Sequence, residues 1–296
     1  MSLPYGHFIR SQLCLKLPTS TKSFAGQTII VTGSNTGIGL EAARHIVRLG
    51  AAKVILAVRS CERGTAAAKS IVASTGRAGV AEVWELDLAS YESVRAFAER
   101  VTTELDRLDV VIENAGLYTH QFERAEDNER TITVNVISTM LLAVLLLPKL
   151  RETAERFGTD VVLTFTGSFV HWMTEFPERR AENILEELAR EDSARMKDRY
   201  NVSKMMELLA FRELSKTVTQ PSGSGRIVTS IVNPGAVQTD IMREASGFFS
   251  LYVKTMRIAV MRTAEEGGRT LVHAAEGNRD TDGQYLCDCK PAKPEL

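Results

Sequence analysis

The stretch Thr28-Ile29-Ile30-Val31-Thr32-Gly33-Ser34-Asn35-Thr36-Gly37-Ile38-Gly39 decides how this chain is read. Its first four residues are apolar and β-branched apart from the leading hydroxyl, which suits a buried strand. Beyond the glycines, Leu40, Ala43, Ile46 and Leu49 recur every three residues and Gly50 supplies a stop, which predicts a helix. Strand, glycine turn and helix form a phosphate-binding context. Glycines let the backbone approach a pyrophosphate, and the helix N-terminus offers free N–H groups and a partial positive charge. The opposing reading is a tight turn whose glycines serve only helix–strand packing.

The spacing is G-x3-G-x-G, which differs from the G-x-G-x-x-G dinucleotide fingerprint. No lysine follows the last glycine, so a mononucleotide P-loop is disfavoured. Working outward, strand-like and helix-like segments alternate. Strands are expected at 53–58, 81–86, 108–112, 160–165 and 226–232, with helices at 61–75, 90–105, 131–150 and 200–216. This alternation predicts an α/β fold: one Rossmann-like, doubly wound parallel sheet with helices on both faces. Residues 1–26 read as an N-terminal arm. Residues 27–296 read as a single domain with an insert at 171–199, whose charged part 181–197 reads as helix-like, and a lid at 236–262.

Composition excludes several classes. The chain has 296 residues, 44% of them hydrophobic, and a net charge of −1. That leaves ample core and gives no electrostatic reason for a nucleic-acid partner. The cysteines, Cys14, Cys61, Cys287 and Cys289, follow no metal or disulfide spacing, so no metal is expected and a reducing, cytoplasmic setting fits. Cys287-x-Cys289 reads as part of a C-terminal strand. The apolar run 134–147 carries Asn135, Ser138 and Thr139 and is shorter than the about 20 residues of a membrane span, so it reads as a buried helix. No signal peptide is read at the N-terminus.

Candidate chemistry falls at the carboxyl ends of the expected strands, where such sheets bind ligands. Arg59 closes the second strand, where an acid would take the 2′-hydroxyl of NAD and an arginine accommodates the 2′-phosphate of NADP; Arg63 and Ser34 are possible helpers. Asp87 ends the third strand and is placed to accept from an adenine amino group or to start a turn. Tyr200 and Lys204 share a helix face at i, i+4. A free tyrosine titrates near about 10, and an adjacent ammonium should move it toward neutrality. Ser168 follows the fifth strand, with Thr166 as the alternative hydroxyl. Asn135 within the apolar helix is either a satisfied core amide or a kink that holds a water near Lys204.

In this order, these motifs resemble the short-chain dehydrogenase/reductase superfamily in its compact type. The residues that carry the resemblance are Thr32-Gly33-x3-Gly37-Ile38-Gly39, Asp87, Asn114-Ala115-Gly116, Asn135, Ser168, Tyr200-x3-Lys204 and Pro234-Gly235 with Thr239. The 54–60 stretch and the long gap before the tyrosine resemble retinol-dehydrogenase-like and WW-domain-oxidoreductase-like members, and the 81–116 stretch looks like fungal members of that group. The resemblance implies a catalytic set of Asn135, Ser168, Tyr200 and Lys204. It implies an NADP(H) site at Gly33, Ser34, Thr36, Gly37, Ile38, Gly39, Arg59, Asp87, Leu88, Asn114, Ala115, Gly116, Tyr200, Lys204, Pro234, Gly235, Val237 and Thr239. Glu113 replaces the first asparagine of the family's Asn-Asn-Ala-Gly, with little effect expected. Trp172, Met173 and Phe176 in the insert and Met242 and Phe248 in the lid are expected to line an apolar pocket.

The implied function is an NADPH-dependent ketoreductase for a bulky apolar ketone or secondary alcohol, by analogy a step of fungal secondary metabolism. The alternatives are an NAD-dependent alcohol dehydrogenase of the retinol-dehydrogenase kind and a non-catalytic cofactor-binding sensor or scaffold. A homodimer or homotetramer touching through 90–105 and 131–150 is also implied.

Overall fold

The structure is a computed structural model that describes residues 4–218, 225–239 and 261–294. The expected alternation is present. In order come helix α1 (Pro4–Cys14), β1 (Thr28–Thr32), α2 (Gly37–Arg48), β2 (Lys53–Val58), α3 (Cys61–Thr75), β3 (Ala81–Glu85), α4 (Tyr91–Glu104) and β4 (Val110–Glu113). A two-residue hairpin and a short helical turn then lead into α5 (Thr139–Phe157), β5 (Val161–Thr166) and α6 (Arg199–Val218). The chain closes with β6 (Ile227–Asn233), α7 (Ala264–Ala275), β7 (Gln284–Cys287) and β8 (Lys290–Ala292).

The sheet order is β8-β7-β6-β5-β4-β1-β2-β3, parallel throughout except for the β7–β8 pair. Both faces are covered, and the strands show why. Ile30, Ile55, Val111, Leu163 and Ile231 face a core built with α4, α5 and α6. Their neighbours Ile29, Val31, Val54, Leu56, Ile112 and Val162 face the second core, with α2, α3 and α7. Side chains alternate across a pleated strand, so a strand buried on both faces must be apolar at every step. The strand order turns outward in both directions from β1 and β4, and this switch point opens the crevice where ligands bind in such sheets.

Local chemistry explains several boundaries. Ser60 and Ser90 cap α3 and α4 by accepting from the backbone of Arg63 and Ser93. Thr263 and Glu266 form a reciprocal capping box on α7. Cys287 and Cys289 lie in the closing β7–β8 hairpin, whose turn residues Asp288 and Cys289 both have positive φ. All four cysteines are free, and the described residues contain no cluster able to hold a metal.

Three stretches depart from expectation. The arm 1–26 contains α1, which is tied into the body: Ser11 donates to Asp288 at 2.7 Å, and Arg262 donates to the Ser11 carbonyl at 3.1 Å and to Asp288 at 2.6 Å. The helix expected over 131–150 is interrupted by a π-helical turn at Thr133–Ser138 and then runs on to Phe157. Thr139 marks the junction by donating to the carbonyl of Val134, five residues back. The Arg130–Phe157 helix has the length and apolar character of a membrane span, but Leu142, Ala143, Leu146 and Leu150 are fully buried against the sheet. The charged part of the insert, expected to be helical from 181 to 197, forms only Ile184–Leu188, capped by Asn183, among turns. Its Glu, Asp and Arg residues mostly face solvent, so little apolar area is available to order a longer helix.

The insert is anchored by charge. Arg199 is 1% exposed, with Nε 3.5 Å from Glu129 and Nη1 3.9 Å from Glu178. Glu129 in turn accepts from the backbone of Thr131 at 2.8 Å and of Ile132 at 3.4 Å, which starts the helix that carries the π turn. Removing one member of such a group leaves a buried charge unpaired. Arg199→Ala is therefore expected to lower stability by about 3–5 kcal/mol in urea unfolding. Arg199→Met combined with Glu129→Gln, which removes both charges, should lose less. Equal losses in the two variants would refute the charge argument.

Candidate active site

The glycine turn is built by packing as much as by phosphate chemistry. A Cβ on Gly33, which has φ +65°, would lie 2.8 Å from Ala115 Cα, and one on Gly39 would collide with the Asn114 amide. These two glycines let β1, α2 and the loop after β4 come together. Gly37 has φ +62° and opens α2, with Thr36 as N-cap and Ile38 beside it, while Thr239 sits 3.4 Å from where a Gly37 Cβ would be. The segment that follows β6 thus lies against the first turn of α2. A backbone cradle that side chains would fill suits a pyrophosphate.

Thr32 locks the crevice. Its buried hydroxyl accepts from the backbone N–H of Asn114 at 2.8 Å and of Ala115 at 2.9 Å, while Asn114 Nδ2 donates to the Thr32 carbonyl at 2.8 Å. Gly116 follows, exposed. Arg59 is exposed at the end of β2. Ser34 is fully buried and donates to the Val31 carbonyl at 2.8 Å, so its hydroxyl is turned into the fold and does not assist Arg59. Arg63 is exposed, and its backbone N–H serves the α3 cap. Asp87 accepts from Ala89 N–H through one carboxylate oxygen, the turn-forming role, which leaves the other oxygen free of that bond. Leu88 is part of the core. Pro234 gives its carbonyl to Arg262 at 3.0 Å, Gly235 takes φ +80°, and Val237 pairs with Arg262 in a parallel bridge.

Tyr200, Lys204, Ser168 and Asn135 converge at the carboxyl edge of the sheet. Ser168 caps the 3-10 turn Phe169–Met173 and lies within hydrogen-bonding reach of the Tyr200 hydroxyl. The buried His171 bonds the Ser168 carbonyl through Nδ1 at 2.6 Å. A carbonyl can only accept, so Nδ1 carries the proton. Lys204 is buried, with Nζ 5.9 Å from the Tyr200 ring centre. Nζ donates to the Thr166 carbonyl and to Glu207 Oε2, each at 2.8 Å. Asn135 sits in the π turn, accepts from Leu117 N–H at 2.7 Å and donates to the Leu117 carbonyl at 2.9 Å and to Ser203 at 3.0 Å. It is both a satisfied amide and part of a kink, and it joins the loop after β4 to α6. π turns are frequent at functional sites.

The net shift of Tyr200 runs against the expectation. Burial pushes the Tyr200 phenol above its ordinary value; Lys204 and Ser168 oppose this, and Glu207 adds to it. Lys204 acts in the expected direction, but burial outweighs it, and Glu207, 2.8 Å from Nζ, works against it. Burial would lower Lys204, but Glu207, together with Tyr200, holds the ammonium above its ordinary value, while burial raises the Glu207 carboxyl against the opposing pull of Lys204.

Glu113 also has a larger effect than expected. It is 2% exposed, accepts from Thr32 at 3.3 Å through one oxygen and leaves its other oxygen without a partner. Burial, reinforced by Glu207 and opposed by the Thr32 bond, pushes its carboxyl up to about 8.

The insert supplies the remaining neighbours. Trp172 is partly buried and Met173 is 48% exposed, whereas Phe176 packs into a small core with Ile132, Leu188 and Val202 and takes a structural role. Met242 and Phe248, and lid residues 240–260 generally, lie outside the described residues. Tyr118 was not anticipated. Its ring meets that of Tyr200 edge-on with centres 5.2 Å apart, and its hydroxyl is 2.8 Å from His120 Nε2. Nothing in the local pattern marks Tyr118, whereas Glu207 stands at i+3 from Lys204 and was findable by helical spacing.

Fold and site together define a dinucleotide-type α/β protein with a tyrosine–lysine pair at its switch point. The family model for short chain dehydrogenases matches residues 27–170. A short chain dehydrogenase/reductase of Cryptosporiopsis sp., dmxR8, is 43% identical over 97% of this chain and 89% of its own. The short-chain dehydrogenase anuD of Penicillium roqueforti is 42% identical over 95% and 74%. The chain belongs to the short-chain dehydrogenase/reductase family. Among solved structures, a Shigella flexneri protein described as a short chain dehydrogenase and complexed with NADP superposes with a TM-score of 0.65 at 24% identity, covering 91% of this chain and 99% of its own. A 3-ketoacyl-(acyl-carrier-protein) reductase of Brucella melitensis complexed with NADH also gives 0.65, at 18% identity over 90% and 97%.

The Glu113 shift has a stability consequence with a definite sign. The unfolded chain releases this proton near 4.5, while the fold keeps it to about 8. Between those values the folded state binds more protons, so stability falls as pH rises, by up to about 1.4 kcal/mol per unit. Glu113→Gln keeps the Thr32 bond and cannot ionise. It is expected to be more stable than the parent, by about 3 kcal/mol at pH 7, with a smaller gain near pH 5. Denaturant melts across that range test this, and a gain independent of pH would contradict it.

Proposed function

We propose that this chain is an NADP(H)-dependent oxidoreductase that moves hydride between the nicotinamide and a bulky apolar ketone or secondary alcohol, acting as a ketoreductase in fungal secondary metabolism. The observation that carries this reading is the convergence of Ser168, Tyr200 and Lys204 beside a glycine turn that a Cβ would block. The fungal origin of the close relatives supports the setting, and a structural neighbour complexed with NADP supports the cofactor class. Arg59, exposed at the end of β2, is the group that favours a 2′-phosphate.

The cofactor would be held by the first turn of α2, Arg59, Asp87, the Asn114–Gly116 loop, Lys204 and the Pro234–Thr239 segment. Bound NADPH supplies the hydride. Tyr200 then acts as general acid and gives its phenolic proton to the substrate oxygen, with Ser168 hydrogen-bonding that oxygen and fixing its distance. Lys204 uses two of its three N–H groups on Thr166 and Glu207, which leaves one for a ribose hydroxyl. Asn135 fixes the loop after β4 against α6, which keeps the crevice and the tyrosine in register. Tyr118 and Trp172 offer aromatic surface to an apolar substrate.

Free cysteines favour a reducing, cytoplasmic compartment. The incompletely buried apolar residues Leu141, Val144, Leu145 and Leu147 of α5 support self-association into a homodimer or homotetramer through α4 and α5.

Calorimetric titration with NADPH and NADH tests the cofactor reading without a substrate. NADPH is expected to bind at least tenfold more tightly, and Arg59→Ala should erase the difference. An NADH preference would instead favour alcohol oxidation, and binding of neither would end the enzyme reading. Tyr200→Phe is expected to lose all but about a thousandth of turnover while keeping NADPH affinity, in line with the 10²–10⁴-fold contribution of general acids. Turnover near the parent rate would remove Tyr200 from the mechanism.

A further inference from the structure

Directly behind the tyrosine–lysine pair lie two further ionisable groups for which the proposed chemistry has no stated use. Glu207 is one turn beyond Lys204 on α6, 2% exposed, with Oε2 2.8 Å from Nζ. Glu113 ends β4, is equally buried and lies close enough to Glu207 to feel its charge. The titratable groups that face this cluster are Tyr200, Lys204 and Glu207 from α6, Glu113 from β4, and Tyr118 from the loop after β4, whose ring meets that of Tyr200. Thr32 and Thr166 approach it as neutral partners, through a hydroxyl and a carbonyl respectively. Two buried carboxyls thus lie behind the tyrosine, of which Glu207 pairs with the ammonium.

We propose that Glu207 is a positioning residue that ties down Lys204 and offsets part of its field, so that Tyr200 holds its proton to a higher pH than Lys204 alone would allow. This rests on the oxidoreductase reading above and deepens it by assigning the group that sets the proton affinity of its general acid.

The physical argument is short. A lone ammonium near a phenol stabilises the phenolate, which is the general base needed to oxidise an alcohol. An ammonium paired at 2.8 Å with a buried carboxylate presents a dipole whose negative end offsets its effect on the phenol. Burial then decides, and burial favours the neutral, protonated phenol. The direction found for Tyr200 agrees, with Glu207 opposing Lys204. Glu113 belongs to the same patch: while it keeps its proton it adds no second negative charge, and once it ionises it adds one beside Glu207. For that reason the decisive variant removes both acids.

The test reads Tyr200 directly in the cofactor-free protein. The protein carries six tyrosines, so ring-carbon-labelled tyrosine is followed by NMR against pH, with Tyr200→Phe identifying the signal. Glu207→Gln is expected to lower the pH at which Tyr200 ionises by one unit or more, a tenfold rise in phenolate at a given pH. Glu113→Gln/Glu207→Gln is expected to lower it further. Glu207→Asp keeps the charge but draws it back from Lys204, and it should give a smaller shift in the same direction; it also serves if the glutamine variants do not fold. A Tyr200 titration that is unmoved or raised in the folded variants overturns the proposal whatever the substrate proves to be. A downward shift in a protein that turns over no carbonyl or alcohol would leave the electrostatic assignment standing and defeat the functional reading instead. Where turnover is measurable, Glu207→Gln should move the alkaline limb of the pH–rate profile for carbonyl reduction down by one unit or more, in step with the Tyr200 titration.

Discussion

The Thr32 hydroxyl is the contact on which the rest of the site depends. It sits at the carboxyl end of the first strand, accepts two backbone N–H groups from the loop after the fourth and leaves its proton for Glu113. A hydroxyl has one donor and two acceptor positions, and all three are used here. The outcome is a fixed separation between β1 and β4 at the point where the sheet's winding reverses. Gly33 and Gly39 allow that separation because a side chain on either would push Asn114 and Ala115 away. Leu117 follows in the same loop, and Asn135 grips its backbone on both polar groups. From there Ser203 carries the constraint onto α6, one residue from Lys204.

Much of this was legible in the residues alone. Strands that must be apolar on both faces announce themselves as short β-branched runs, and Lys53–Val58 and Cys61–Thr75 fall where their patterns put them. Ser90 as a cap, Gly76 as a stop and the Tyr200–Lys204 face follow from rules that act over a few residues. What escaped depends on distance in space. A π turn inside an apolar run leaves no periodic trace that a short window detects. Glu113 meets Thr32, about eighty positions away, and feels Glu207 from a helix still further along the chain, so its altered proton affinity has no local signature. The insert misled because a charged stretch at helical spacing looks like a solvated helix, yet without an apolar face it settles into turns around a buried arginine.

The site also shows how one family pattern can hold different electrostatics. Tyrosine and lysine at i, i+4 suggest a shared proton between two neighbours. The third member, one helical step further on, changes the sum. With Glu207 in place the lysine is a fixed, balanced donor rather than a free positive charge. The same pair of residues can therefore stand in opposite protonation bias according to what lies behind them, and pattern matching alone does not separate the cases.

The docking of α1 has a consequence for the order in which the molecule is completed. Ser11, near the start of the chain, bonds Asp288 and Arg262, near its end, and Gln12 packs over Gly235. A ribosome makes these partners long after α1, so α1 has nothing to settle on until the segment that carries Arg262 and Asp288 has emerged. Contacts this far apart in sequence form late because the intervening chain must be ordered first. The sheet can assemble strand by strand during synthesis, whereas the seating of α1 beside Pro234 and Gly235 waits for all the strands between them.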